Sequence, residues 1–103
     1  MNELDIENNL DNVITCRPNV VIAFFAPQCA YCKLVSYFLS HLSTRYPHVH
    51  FCKYNIDANP DVRAELKIQQ LPATFFYKDG KVLGRYYGNL EQTLADCLTK
   101  YYD

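Results

Sequence analysis

The stretch Val20-Val-Ile-Ala-Phe-Phe-Ala-Pro-Gln-Cys-Ala-Tyr-Cys-Lys33, running on into Leu34-Val-Ser-Tyr-Phe-Leu39, decides the fold. Its first six residues are an unbroken apolar run, the pattern of a strand buried on both faces of a parallel sheet. Beyond Pro27, Leu34, Val35, Phe38, Leu39 and Leu42 recur at helical spacing, and the stripe ends near Tyr46-Pro47. Cys29 and Cys32 therefore fall on a strand-to-helix junction. There, unpaired backbone N–H groups and the helix dipole stabilise a thiolate at Cys29. Two intervening residues bring both sulfurs over the first turn, so Cys32 can attack a mixed disulfide formed by Cys29.

The rest of the chain supplies the partners of that junction. Leu4–Ile6 reads as a short first strand, and Phe51–Ile56 as a third. Thr74–Tyr77 and Val82–Tyr87 flank Lys78-Asp79-Gly80-Lys81, a hairpin turn. Leu10, Val13 and Ile14 mark a helix closed by Arg17-Pro18. Asn59-Pro60 predicts a capped start for a helix over Val62–Leu66. Leu90, Leu94, Cys97, Leu98 and Tyr101 form a last stripe, with Asn89 as its expected cap and Gln92 completing a capping box. The order β-α-β-α-β-α-β-β-α predicts an α/β fold in which parallel units and a C-terminal β-hairpin make one mixed sheet, flanked by four helices.

Composition narrows the function. The 103 residues predict one domain over 1–103, since a second core would need roughly another 100 residues. Ten basic against 11 acidic side chains leave a net charge of −1, which argues against nucleic acid or an anionic membrane as partner. No apolar run reaches the roughly 18 residues of a membrane span. Met1–Glu7 is acidic and has neither the basic flank nor the apolar stretch of a leader. Five cysteines cannot all pair within the chain, so a reducing, cytoplasmic setting is expected.

Two other readings of Cys29 and Cys32 stay open on the residues alone. Packing is one, and a metal site is the other. Zinc needs further ligands, and His48, His50 and Cys52 offer them, but their alternation looks like a single strand face. Cys97 and Cys52 read as small core residues, and Cys16 as an exposed thiol open to an intermolecular disulfide. His41, His48 and His50 read as surface residues.

Together the segments resemble the thioredoxin family over essentially the whole chain. Phe24–Lys33 resembles its active-site segment, and Lys53–Pro60 its third strand and following loop. Leu71-Pro72-Ala-Thr74, Lys78-Asp-Gly80 and Gly88 match its cis-proline loop, hairpin and late glycine. The resemblance implies a thioredoxin fold and a protein-disulfide reductase, with Cys29 as attacking thiol and Cys32 as resolving thiol. Lys53 then lies beneath the site and Pro72 faces the disulfide. Gln28, Ala30, Tyr31, Leu71, Pro72 and Gly88 form the substrate-binding surface. The chain itself carries no organic cofactor and no metal; NADPH acts indirectly through a thioredoxin reductase. Partners are disulfide-containing client proteins and that reductase, and the protein is expected to be a monomer.

Four residues depart from the family pattern. Gln28 replaces a tryptophan, Ala30-Tyr31 a Gly-Pro pair, and Tyr37 a helix-kinking proline, which leaves the second helix straighter. Ala23 replaces a buried acid, the usual proton acceptor for the resolving thiol. Tyr31 also resembles glutaredoxins, whose Gly-Gly glutathione motif is Tyr86-Tyr-Gly-Asn89 here. A glutathione-dependent reductase, or a binding module with a vestigial or metal-holding Cys pair, are the alternative functions.

Overall fold

The computed structural model describes residues 4–103; Met1–Glu3, part of the segment read for a leader, lie outside the described residues. Five strands, β1 (Asp5–Ile6), β2 (Asn19–Phe25), β3 (His50–Asn55), β4 (Ala73–Lys78) and β5 (Lys81–Tyr87), form one sheet in the order β1-β3-β2-β4-β5. Strand β3 runs parallel to both β1 and β2, whereas β4 is antiparallel to β2 and to β5. Helices α1 (Leu10–Cys16), α2 (Ala30–Leu42), α3 (Pro60–Leu66) and α4 (Glu91–Tyr102) complete the expected order. No helix among the described residues is long and apolar enough to cross a membrane.

Strand β2 explains the apolar run. Its side chains alternate between two cores: Val21 and Ala23 pack with Val35, Leu39, Leu94 and Leu98 on one face. Val20, Ile22 and Phe24 pack with Val13, Ile68 and Phe75 on the other. Both layers exclude water, so a polar side chain at Val20, Val21, Ile22 or Phe24 would be buried at a cost. The hairpin turn has Asp79 at φ 51° and Gly80 at φ 82°, the pair of positive angles that a two-residue turn between twisted strands requires.

Two expected caps differ. The N-cap of α4 is Leu90, without a side-chain hydrogen bond, and the Gln92 amide donates to Asp96 Oδ1 at 2.9 Å. Leu90 N–H donates to Tyr86 Oη at 3.1 Å, so a tyrosine hydroxyl four residues back serves the cap residue's own N–H. Asn59 does precede α3 and Pro60 does open it, but the Asn59 amide turns back to Asn55 O at 2.9 Å. By contrast Asn9 caps α1 as its residue type allows, accepting the Asn12 N–H at 3.0 Å.

Candidate active site

The end of β2 delivers the chain to α2, and Cys29 is the N-cap of that 13-residue helix. Its sulfur accepts the Cys32 backbone N–H at 3.1 Å, the position an oxygen occupies in ordinary caps. Cys29 and Cys32 are joined in a disulfide, with Cα atoms 5.3 Å apart. Cys29 is half-buried, whereas Cys32 is 4% exposed and lies against β2, its Sγ 3.9 Å from Phe24 O. That carbonyl is the acceptor a Cys32 thiol would meet after reduction.

Sheet register carries the opposite wall. Ala73 pairs with Phe24, so the Leu71–Pro72 peptide, which is cis, stands beside the mouth of β2. Pro72 is buried and Leu71 half-buried. On the helix side Gln28 and Ala30 are exposed, and Tyr31 is 61% exposed. Gly88 is half-buried and has a packing reason of its own: a Cβ there would meet Tyr86 Oη at 2.6 Å. The Tyr86 ring that occupies this space was not singled out in the sequence.

Beneath the disulfide is a cavity of about 30 Å³ lined by Ala23, Phe25, Cys32, Lys33, Ser36 and Lys53. Lys53 is half-buried, with Nζ 5.5 Å from the centroid of the Phe25 ring. Ser36 was missed by sequence reasoning; a serine one turn beyond the second cysteine, on the inward side of the helix, was the available signal. The space left by the short Ala23 side chain is about the volume that one water needs. Helix α2 runs uninterrupted through Tyr37.

The three remaining cysteines are free thiols. Cys52 is fully buried, and burial, with Glu7 nearby, pushes its thiol up to about 12. Cys97 is half-buried at the edge of the core rather than inside it, and desolvation raises its thiol too. Cys16 is exposed, as its place off the helix stripe implies. His41 and His48 are exposed, but His50 is not a plain surface residue: it lies in β3, 3.1 Å from Glu7 Oε2 and 2.9 Å from Arg17 Nη1.

A five-stranded mixed sheet, a Cys-x-x-Cys disulfide at a helix N-terminus and a cis-proline loop beside it define the thioredoxin-type thiol–disulfide oxidoreductases. The thioredoxin family profile matches residues 3–100, and the chain belongs to that family. It is 34% identical over 77 residues to mitochondrial thioredoxin-3 of Saccharomyces cerevisiae, covering 75% of this chain and 61% of that protein's own length. The crystal structure of that relative in its oxidised form superposes with a TM-score of 0.85 over 94% of each chain, at 29% identity. Mouse thioredoxin is 32% identical over 82 residues, covering 80% of this chain and 78% of its own. A further solved structure, with 28% identity, a TM-score of 0.84 and 94% of each chain covered, concerns thiol resolution in a yeast mitochondrial 1-Cys peroxiredoxin via glutathione/thioredoxin systems.

Proposed function

We propose that this protein reduces disulfides of client proteins through the Cys29–Cys32 couple. The observation that carries the reading is the asymmetry of the pair. Cys29 caps a helix and reaches solvent, while Cys32 is shut beneath it. The Cys29 thiolate attacks one sulfur of a client disulfide, forms a mixed disulfide and releases the other client sulfur as a thiolate. The Cys32 thiolate then attacks Cys29 Sγ, closes the intramolecular disulfide and releases the second client thiol. Two electrons have passed to the client, and an NADPH-dependent thioredoxin reductase restores the dithiol.

The surrounding residues take roles that follow from their places. Gln28, Ala30, Tyr31 and Gly88 form the rim that a client touches, and Leu71 offers its backbone to an extended client segment beside Pro72. Ala23 offers no carboxylate to take the Cys32 proton, so that proton passes to water or to the released client thiolate. Lys53 and Ser36 line the pocket beside Cys32, and the lysine's positive charge favours the thiolate. Peroxiredoxins are one client class consistent with the relative described above. Three free thiols beside one disulfide fit a reducing, cytoplasm-like compartment.

Insulin reduction driven by NADPH and thioredoxin reductase tests the reading. Wild type is expected to turn over. Cys29→Ser is expected to fall to background, a loss of about a thousandfold or more, and Cys32→Ser to accumulate a mixed disulfide at Cys29. Turnover driven by glutathione alone would point to a glutaredoxin-like enzyme, and inertness with both reductants to a binding module.

A further inference from the structure

Away from the disulfide, three metal-ligating side chains converge at the β1 side of the sheet. His50 and Cys52 stand two residues apart on β3, so their side chains share the face that α1 and α3 cover. Glu7 follows β1 directly and is tied to β3 by its N–H to Lys53 O at 2.9 Å. One ligand atom from each of the three residues lies within 4.8 Å of the other two. The His50 imidazole is only 13% exposed and the Glu7 side chain 30%, so the group is sheltered but open at one side. We propose that Glu7, His50 and Cys52 form a second site, separate from the redox pair, that binds a thiophilic divalent cation of the Zn²⁺ type.

The donor set selects the ion. One sulfur, one imidazole nitrogen and one carboxylate oxygen suit Zn²⁺, whereas Mg²⁺ and Ca²⁺ take oxygen ligands. Zinc–ligand bonds of about 2.0–2.3 Å place tetrahedral donors roughly 3.3–3.8 Å apart. His50 Nε2 and Glu7 Oε2 are already 3.1 Å apart, so the closure falls to the fully buried Cys52 sulfur, which gives up its contact with Val21 O at 3.7 Å to join them. Asp5 pairs in register with Cys52 and faces the same side, so it or water completes the fourth position.

Before any cation binds, the Cys52 thiol donates to Val21 O at 3.7 Å. Without a cation, His50 Nε2 donates to Glu7 Oε2 and Nδ1 accepts from the Arg17 guanidinium at 2.9 Å. A cation on Nε2 moves the imidazole proton to Nδ1 and displaces the Cys52 thiol proton to solvent. Arg17 must then release Nδ1, and as an exposed side chain it can turn into water. The three residues thus hold either a peg of hydrogen bonds or a cation. Strand β1 has only two residues in register with β3, so a cation here would staple the weakest strand of the sheet.

The test uses the full chain in its oxidised form, in which Cys29 and Cys32 cannot ligate. Titration with Co²⁺, the spectroscopic stand-in for Zn²⁺, is expected to give a thiolate-to-cobalt charge-transfer band that saturates at one equivalent and disappears when Zn²⁺ is added. Cys52→Ser removes the band, whereas Cys16→Ser and Cys97→Ser keep it. His50→Gln and Glu7→Gln weaken Co²⁺ binding by about tenfold or more, and Arg17→Gln tightens it. In parallel, Zn²⁺ raises the melting temperature of the oxidised wild type but not of His50→Gln, a readout that stands even if Cys52→Ser folds poorly. No band in the oxidised wild type, or a band that survives both His50→Gln and Glu7→Gln, would overturn the site. Disulfide reduction is measured separately, so neither result depends on the other.

Discussion

The two ends of strand β2 are built on opposite plans. At its start, Tyr102 from the last helix lays its hydroxyl between Val20 O at 3.0 Å and Tyr77 O at 2.9 Å, bridging β2 and β4. The hairpin tip is tied down beside it, with Asp79 N–H donating to Pro18 O at 2.8 Å. At its finish, Phe24 and Phe25 lead to a disulfide beside a pocket of about 30 Å³ that Lys53 also lines. The first end is cross-braced by hydrogen bonds and filled. The second gives up packing where the sulfur chemistry needs a mobile proton.

The largest effect expected from disturbing this contrast comes from Ala23→Asp. The cavity abuts Ala23, Cys32 and Lys53, so a carboxylate has both space and a counter-charge. A general base beside Cys32 is expected to shorten the lifetime of a Cys29 mixed disulfide by about tenfold or more. Its negative charge is also expected to raise the pH midpoint of Cys29 alkylation. Ala23→Asn is the control, since it fills the same volume without accepting a proton. Stopped-flow release of a chromogenic thiol from Cys29 reads the lifetime. Equal lifetimes in all three proteins would mean that Ser36, Lys53 and the cavity already do the acid's work.

Next in size is Tyr102→Phe at the other end. It removes a buried hydroxyl that two strand carbonyls share, which is expected to cost about 1–3 kcal/mol in urea denaturation. Insulin reduction at 25 °C should be unchanged, because the bond lies at the end of β2 remote from Cys29. Loss of activity without loss of stability would break the division between the two ends.

How much of this was legible follows the range of each signal. The run from Val20 to Phe25 and the Asp79-Gly80 turn carry their own geometry, and both stand where expected. The Cys29 cap was legible because helix start and sulfur are neighbours in the chain. The Asn89–Gln92 capping box failed because α4 starts one residue later, with Leu90 at the cap, and the Gln92 amide turns to Asp96 instead. His50 read as a surface residue because Glu7 and Arg17, 43 and 33 residues away, decide its environment. Ser36 was missed although its place one turn beyond Cys32 was readable, because its role depends on the short Ala23 side chain it meets across the helix–sheet boundary.

The smallest expected effect at neutral pH belongs to Tyr77, near the braced end, and it grows with pH. Its hydroxyl is buried and has no hydrogen-bond partner among the described residues. Removing an unsatisfied buried hydroxyl is close to neutral, so Tyr77→Phe should shift stability at pH 7 by less than about 1 kcal/mol. Burial pushes the Tyr77 phenol up to about 12, above the value of about 10 that it takes in the unfolded chain. The neutral phenol therefore favours the folded state. Its contribution is fully present below pH about 10 and is lost as the pH rises through about 12. Within that window each pH unit costs wild type about 1.4 kcal/mol that the phenylalanine variant does not lose. Urea denaturation at pH 8, 10 and 11 compares the two proteins. The curves should coincide at pH 8 and separate in favour of Tyr77→Phe by pH 11. Parallel curves across the whole range would mean that the phenol ionises in the folded state as easily as in the unfolded one, and that this end of β2 is less tightly sealed than its hydrogen bonds imply.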